Sequence, residues 1–385
     1  MKSDLSQSPI WRLLVSSALL VMAFGCEKVP TFQELTGQQQ QNPTSTTTPS
    51  VTPAVAPKDT HPNPGVPSAK PVPIDPAKFL SELQSKRSEQ INDDDLKTLA
   101  NLESGREQVT FLNITRGGIT DEALQNLTKL PELTQLDLTS TNIDGHGFAA
   151  LRDCPKLRKL KVSGVLRMSP QGWEEISKLT QLEVLDASNN SSLSNADVAK
   201  FIALTNLKEL DLSSTPITDD AFRSLAEMER LEILKIEGNS QLKGNGLQAY
   251  SRTKPTLREL HAMRTPLHAA GLKHIKSISS LEFLDISNTS LSDQPFADLK
   301  GANNLVHLKV GANQLTNAGM QTVLTLSKLK ILDLEAMQTI NDQGLGILSK
   351  KSGLQTLNAK RVPFTRKGIE QFQKINKNCE VLISE

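Results

Sequence analysis

The sequence predicts an α/β solenoid, a fold in which one short strand and one short helix alternate many times along the chain. Two observations indicate this fold. The segment L-x-x-L-x-L returns every 24 to 26 residues from Val109 onward, and each copy is followed by a turn and a second apolar segment with helical spacing. Aromatic residues make up only 4% of the chain, so leucine would fill the stacked layers of one continuous core.

The first 25 residues have the features of an export signal. Lys2 and Arg12 provide positive charge, and residues 13–24 form an apolar run too short to span a membrane. The run ends in Ala-Phe-Gly-Cys, which resembles the lipobox of bacterial lipoproteins, with Cys26 at the lipidated position. The resemblance implies an exported lipoprotein of the bacterial cell envelope, anchored to the membrane through Cys26. Plain secretion is one alternative, because the same residues fit ordinary small-x-small cleavage, and an uncleaved anchor is another.

Residues 26–76 differ sharply in composition from the rest of the chain. They are rich in proline, threonine and glutamine and poor in apolar residues. Too little apolar surface is available to offset the entropy lost on ordering. The sequence therefore predicts a disordered linker between the anchor and the solenoid.

Residues 77–108 are predicted to form a helical N-terminal cap, because their apolar residues recur at spacings of three and four. Asn92 is a candidate N-cap, and Asp93, Asp94 and Asp95 follow it at the positive end of the helix dipole. A calcium site is the alternative interpretation of these acids. The glycine and the distant glutamate of a calcium loop are missing, which favours the cap.

Eleven repeats are predicted over residues 109–378, and a terminal strand over residues 379–385 should close the sheet. The strand segments begin at Val109, Leu133, Leu157, Leu182, Leu207, Leu231, Leu257, Leu281, Leu305, Leu329, Leu354 and Cys379. Their first, fourth and sixth positions are expected to point into the core.

A polar position follows most strands by three residues. Its Thr or Asn side chain is expected to bond backbone groups where the chain turns. The members of this column are Thr141, Asn190, Thr215, Asn239, Thr265, Thr289 and Asn313. A Thr-Asp or Asn-Asp pair then comes before the next apolar segment, as after Ile217 and Ile340, and is expected to cap a short helix.

These repeats resemble the leucine-rich-repeat superfamily over residues 109–385. The phrase T-x-I-T-D-x-G-L is most similar to the ribonuclease-inhibitor-like and cysteine-containing types, and arrays of it resemble exported bacterial repeat proteins. The resemblance implies a horseshoe with a parallel β-sheet on the concave face and short helices on the convex face. It also implies that the concave face usually binds another macromolecule.

The strand residues between the buried leucines would line that concave face in two columns. One column contains Val184, Ile233, Phe283 and Ile331, which are expected to be exposed apolar residues on a face otherwise polar. Apolar and aromatic groups ringed by charge are the usual composition of a binding hot spot. The candidate ligand-binding residues are Val184, Ile233, Lys235, His261, Met263, Phe283, Asp285, His307, Lys309 and Ile331. The alternative is that these are ordinary isolated apolar surface residues.

The second column alternates roughly between Asp and Lys, so neighbouring strands are expected to pair their charges. A solvated charge ladder is the alternative to a recognition surface. His261 and His307 would lie two strands apart, about 10 Å, with Phe283 between them, so no shared metal is predicted. Cys154 and Cys379 are too distant along the array to bridge and are predicted to be small apolar fillers.

No motif for catalysis is present in the sequence. There is no G-x-S-x-G, H-E-x-x-H, Walker A or C-x-x-C segment. The sequence therefore predicts a protein that is not an enzyme, with no catalytic residues, no metal and no cofactor. Lys and Arg total 43 against 42 Asp and Glu, and this balance argues against a nucleic-acid partner.

The predicted function is a protein-interaction module displayed on the cell envelope, which binds a protein ligand, or alternatively a glycan, on the concave face. One alternative is an architectural spacer without a discrete ligand. Another is an F-box-like substrate receptor in ubiquitin ligation, which the export signal and the lack of a recognisable F-box disfavour. The oligomeric state is left open, because the last strand has an edge that another chain can pair with.

Overall fold

The L-x-x-L-x-L segments form twelve short strands, each with a buried residue in its middle position or, in the last strand, a half-buried one. The computed structural model describes residues 74–267 and 269–384. The predicted export signal, Cys26 and the linker up to residue 73 lie outside the described residues. Within them, no helix has the length and apolar character needed to cross a bilayer.

All twelve strands belong to one sheet and are paired in parallel in the order of the sequence. The strands are β1 Phe111–Asn113, β2 Gln135–Asp137, β3 Lys159–Lys161, β4 Val184–Asp186, β5 Glu209–Asp211, β6 Ile233–Lys235, β7 Glu259–His261, β8 Phe283–Asp285, β9 His307–Lys309, β10 Ile331–Asp333, β11 Thr356–Asn358 and β12 Glu380–Leu382. This confirms the predicted solenoid, including the last strand, which pairs with β11.

Each strand is paired residue for residue with its neighbour, so equivalent positions form straight columns across the sheet. The buried positions are those that the pattern predicted. In one repeat, Leu207 is 1% exposed and both Leu210 and Leu212 are 0% exposed. Burying such leucines contributes about 1.5–3 kcal/mol each relative to exposure, so the stacked columns account for much of the stability of the array.

Helical segments return the chain from each strand to the next. The α-helices are α1 Pro76–Ser85, α2 Asp93–Ala100, α3 Pro170–Ser177, α4 Asn195–Lys200, α5 Ala221–Leu225, α6 Ala269–Ile275, α7 Asp293–Phe296, α8 Met320–Leu324, α9 Asp342–Leu348 and α10 Arg366–Ile375. The 3-10 segments are Ser88–Gln90, Arg106–Gln108, Glu122–Lys129, His146–Asp153, Phe201–Ala203, Asn245–Arg252, Ala297–Leu299 and Asn317–Gly319. Their inner side chains, such as Phe222 and Leu225, are buried in the core that the strands share.

The Thr and Asn column behaves as predicted. Asn239 is fully buried, donates from Nδ2 to the carbonyl of Leu212 at 2.9 Å and accepts the backbone N–H of Thr215 at 2.7 Å. Its own N–H donates to the hydroxyl of Thr265 at 3.1 Å. These side chains therefore satisfy backbone groups of the preceding repeat that would otherwise be buried without partners.

The Asp of the Thr-Asp pair has a different role from the predicted cap. Asp219 does not cap α5; its carboxylate accepts the backbone N–H groups of Lys243, Gly244 and Asn245 in the next repeat, at 2.8–3.1 Å. Asp121 does the same with the following turn. The residue before the Asp does cap helices, since Asn341 accepts from the N–H of Gln343 at 3.0 Å. The first residue of the pair thus caps its own helix, and the Asp bonds the turn of the next repeat.

Helices α1 and α2 come before β1. Asn92 caps α2 as predicted, with a reciprocal bond to Asp95 at its third position. Asp93 accepts from the N–H and the hydroxyl of Thr120, both at 2.8 Å, which is the bond that the Asp of each repeat forms with its successor. Two of the three acids considered as calcium ligands therefore hold the helix start and the first turn.

Cys154 and Cys379 are both buried and unbridged. Burial raises the pKa of each thiol to about 11, so both are neutral near pH 7. Their predicted role as small apolar fillers is confirmed.

Candidate functional site

One face of the sheet packs on the helices, and the other has no helix against it in the described part of the chain. We call the second the open face; its side chains are the first and third residues of each strand and the residue two positions after the strand ends. The middle residue of each strand, such as Leu234 and Leu284, points the other way and is 0% exposed. The ten candidate ligand-binding residues all lie on this open face, between β4 and β10.

Phe283 lies in the centre of the open face, flanked by two imidazoles. The ring centroid of His261 on β7 is 4.5 Å away with an interplanar angle of 32°, and that of His307 on β9 is 4.8 Å away at 88°. Phe283 pairs directly with His307, and His261 lies diagonally across from it, in register with Asp285. Phe283 stands between the two histidines as predicted, tilted against one ring and edge-on to the other.

The four apolar residues of the first column are half-buried, and the expectation that they would be exposed is wrong. Each is paired in register with polar neighbours on both sides, and beside Val184 and Ile233 these neighbours have longer side chains. Val184 lies between Lys159 and Glu209, and Ile233 lies between Glu209 and Glu259. The aliphatic parts of these polar side chains cover much of the apolar surface. Apolar and charged groups therefore alternate along the column, and no continuous apolar patch forms.

The charge ladder of the third position is confirmed on two pairs of strands. Lys161 lies 3.5 Å from Asp137, and Lys309 lies 3.2 Å from Asp285. Asp285 is only 3% exposed, and its Oδ1 also accepts the N–H of Ser287 at 2.9 Å. The alternation fails between β4 and β5, where Asp186 and Asp211 are paired in register. Lys235 of β6 contacts Glu209 of the first column at 2.5 Å, so Asp211 has no ion pair in the described part of the chain.

The half-buried face shifts several pKa values. Burial, aided by the nearby charge of Lys309, lowers the pKa of His307 to about 4, so this imidazole is neutral at physiological pH. Burial disfavours the charge of Lys235, but the Glu209 carboxylate outweighs it and raises the lysine pKa. Burial also raises the pKa of Glu237, although His261 opposes this. His261 contacts Glu259 at 3.2 Å and lies 4.0 Å from Glu237.

This face presents charged side chains and a large contact area. Within residues 74–267 and 269–384, no group of three or more His, Cys, Asp or Glu side chains converges as metal ligands would. The His261 and His307 rings are separated by the ring of Phe283. The face offers fixed carboxylates and ammonium groups between half-buried apolar side chains, which suits a large polar partner better than a small molecule.

Some functional candidates were missed from the sequence. Glu237 lies two residues after β6 and contributes to the face, yet only its distance from the strand end indicates this. Asp186 and Asp211 were recognised as part of a ladder but not as a pair without lysine partners. That feature depends on which way Lys161 and Lys235 turn, and the order of residues does not determine it.

Comparisons with known proteins agree with this architecture. A family model described as Leucine Rich repeat matches residues 203–226, which contain β5. Tsukushi of Rattus norvegicus is 29% identical over 118 residues, covering 28% of this chain and 33% of that protein. The chain therefore spans about a third of the length of this curated relative.

Two solved structures have a similar fold. An internalin (inlF) of Listeria monocytogenes superposes with a TM-score of 0.51 and 18% identity, covering 80% of this chain and 93% of that one. The Rad7 and Elc1 complex of yeast gives a TM-score of 0.51 and 18% identity, covering 77% and 81%. At this identity the likeness establishes the fold: the described chain is a leucine-rich-repeat solenoid.

Proposed function

We propose that this chain is a non-enzymatic interaction module that binds a protein ligand on the open face of its sheet. One observation carries the proposal: a sheet of twelve strands has one whole face that no element of the described chain packs upon, from β1 to β12. A sheet of twelve strands at about 4.8 Å spacing is roughly 55 Å wide, which matches a protein-sized partner. Leucine-rich-repeat folds are typically protein-interaction modules, which supports the same reading.

Display on the cell envelope is the second part of the proposal. It is supported by the positive N-terminus, the apolar residues 13–24 and the lipobox-like position of Cys26. Metabolic labelling with a radioactive fatty acid tests it. We expect label on the full chain and none on the Cys26→Ser variant, and labelling equal to background in both would contradict lipid anchoring.

Affinity capture tests the open face. The full chain serves as one bait and the Phe283→Asp, Ile233→Asp double variant as another, with extracts of the source cells. The matched control is Leu166→Asp, Ile202→Asp, which adds the same charges at apolar residues that are 81% and 42% exposed away from the open face. We expect one set of partners on the parent and control baits and its loss from the open-face variant, with circular dichroism showing that all three are folded.

The opposite result favours the architectural alternative. If all three baits retain the same proteins, the open face does not select a ligand, and a spacer without a discrete partner becomes the better account. A glycan ligand would appear as capture that persists after protease treatment of the extract and disappears after glycosidase treatment.

A further inference from the structure

The charge ladder of the open face has a gap on β4 and β5. Asp186 and Asp211 are paired directly in register, so two carboxylates stand side by side on adjacent strands. Like charges in this position destabilise a sheet. Elsewhere the ladder avoids the conflict by placing a lysine beside the aspartate, as in the Asp137–Lys161 and Asp285–Lys309 pairs.

The lysines on either side of the gap do not fill it. Lys161 is in register with Asp186 but contacts Asp137 on the other side, at 3.5 Å. Lys235 is in register with Asp211 but contacts Glu209, at 2.5 Å. Both neighbouring lysines thus form ion pairs with other carboxylates, and neither aspartate forms an ion pair of its own in the described part of the chain. The charge of Lys235 nevertheless acts on Asp211 from further away and favours its ionised form.

The two aspartates are nevertheless held firmly in place. Oδ1 of Asp186 accepts the N–H of Ser188 at 3.1 Å and its hydroxyl at 2.6 Å, and Oδ1 of Asp211 accepts the N–H of Ser213 at 2.9 Å. Among the described residues, none donates to Oδ2 of either carboxylate. Each aspartate therefore presents one oriented oxygen to a partner, a preorganised arrangement that lowers the cost of binding.

The strands around the two aspartates carry further negative charge. On the open face of β4 to β8, six carboxylates accompany one lysine, although the whole chain has a net charge of +1. Burial raises the pKa of Asp211 and the neighbouring charge of Asp186 adds to this, while the hydrogen bonds from Ser213 and the charge of Lys235 oppose it. The half-buried side chains of Val184 and Ile233 flank the gap, where the aliphatic stem of a long basic residue can lie against them.

From these observations we infer that the partner of the open face is a cationic protein segment, with an arginine side chain bridging Asp186 and Asp211. This inference rests on the proposed function, because it names the chemical class of the ligand for that same face. A guanidinium matches the pair, since its planar fork donates to two carboxylate oxygens at once and stays charged at every physiological pH.

Fluorescence anisotropy with a labelled oligoarginine peptide tests the inference on the full chain. We expect saturable binding at about 0.05 M salt that weakens at about 0.15 M, as an electrostatic contact should. The Asp186→Asn, Asp211→Asn variant should bind about tenfold more weakly. The matched control is Glu227→Gln, Glu229→Gln, which removes the same charge from exposed residues off the open face and should change the affinity less than about twofold.

Three results would overturn the inference. They are equal weakening in both double variants, no weakening in Asp186→Asn, Asp211→Asn, and equally strong binding of an oligoglutamate peptide. Thermal unfolding of each variant shows that it is folded, and removal of the like-charge pair should not lower its melting temperature.

Captured partners separate this inference from the proposed function. If capture depends on Phe283 and Ile233 but not on Asp186, Asp211 or salt, the proposed function stands and the cationic partner is wrong. If oligoarginine binding requires the two aspartates while no open-face variant changes capture, the charge recognition stands and the proposed function falls.

Discussion

Single buried amides hold the turns of this solenoid. Asn239 is the clearest case, because its one side chain bonds both the carbonyl of Leu212 and the N–H of Thr215. The sequence predicted this role from position alone, since a Thr or Asn recurs three residues after most strands. What it did not predict is that the bonds run mostly to the preceding repeat.

The Asn239→Ala substitution should lower the free energy of unfolding by about 2–4 kcal/mol. The change leaves the buried N–H of Thr215 without a partner, which costs about 1–3 kcal/mol, and removes one of the two hydrogen bonds to the Leu212 carbonyl, worth about 1 kcal/mol more. Urea unfolding followed by circular dichroism measures the loss. Asn303→Ala, at an exposed position, is the control and should change stability by less than about 0.5 kcal/mol; similar losses in the two variants would show that Asn239 has no special role.

His307 should make the protein less stable in acid. Its pKa is lowered to about 4 by burial and by Lys309, while the unfolded imidazole titrates near 6.5. Between these values the unfolded chain binds a proton that the folded chain does not, so the free energy of unfolding falls as the pH decreases from about 6.5 to about 4. His307→Gln should remove this part of the acid sensitivity.

The check is urea unfolding of the parent and variant at about pH 8 and about pH 5. His146 provides a control of opposite sign, because the hydrogen bond that its ring donates to the carboxylate of Asp144 raises its pKa. Its contribution to stability is present below the unfolded pKa and is lost as the pH rises. His146→Gln should therefore reduce stability at the lower pH only, and a parent and His307→Gln with identical pH profiles would contradict the burial of His307.

Among the elements, the turn before each helix is shaped by the previous repeat. The carboxylate or amide oxygen that crosses from one repeat to the next occupies the space where a side chain would start. A Cβ placed on Gly344 of α9 would lie 2.6 Å from Oδ1 of Asn317, which itself accepts the Gly344 N–H at 3.0 Å. This explains the glycine in the phrase I-N-D-x-G-L.

Two glycines of the same helix should therefore respond in opposite ways to alanine. Gly344→Ala should destabilise by about 1–3 kcal/mol, because the backbone or Asn317 must move. Gly346→Ala has open space around its Cβ and should stabilise α9 by about 0.5–1 kcal/mol. Thermal unfolding compares the two, and destabilisation by both would mean that helix conformation, and not the contact with Asn317, governs these positions.

The elements also show why the sequence predicted some features and not others. The first residue of each strand is predicted from a spacing that recurs in every repeat, so an irregular sequence in one repeat does not change the prediction. The role of Asp219 follows from contacts with residues 24 to 26 positions later, which a local helix-capping rule does not consider. The burial of Val184 and Ile233 likewise depends on the side chains of neighbouring strands.

At the scale of the whole molecule, each repeat contacts mainly its neighbours, so damage should remain local. Leu99 of α2 is 0% exposed and belongs to the cap. Leu99→Ala should cost about 2–5 kcal/mol by leaving a cavity, and the effect should appear at the N-terminal end. Hydrogen exchange followed by mass spectrometry should show faster exchange in the cap and β1, with β8 unchanged.

Lys97→Ala is the matched control for this experiment, since it lies on the exposed side of the same helix. It should leave exchange unchanged throughout. Faster exchange in β8 as well as β1 would instead show that the array unfolds as one cooperative unit.

The whole fold could be predicted from the sequence, but the arrangement of side chains on the open face could be predicted only in part. The repeat period predicted which residues share the open face, and the two imidazole rings beside Phe283 were placed correctly. The half-buried state of the apolar residues on that face and the lack of an ion pair at Asp186 and Asp211 were not predicted. Both depend on the direction in which long side chains turn. These contacts form between side chains on neighbouring strands, which are distant from each other in the sequence.

The bonds between turns give the array a direction. Asp93 holds the turn at Thr120, Asp219 holds the turn at Gly244, and Asp342 holds the turn at Thr365, so in these carboxylate bonds the acceptor comes first in the chain. In a chain synthesised from its N-terminus, the acceptor carboxylate of each repeat is therefore made before the backbone N–H groups that it binds. Losing repeats from the C-terminus leaves these carboxylate bonds to the remaining turns intact, whereas losing them from the N-terminus removes the carboxylate acceptor of the next turn. The buried amides run the opposite way, since Asn239 accepts the N–H of Thr215 in the preceding repeat. The N-terminal and C-terminal ends of the solenoid are therefore not equivalent.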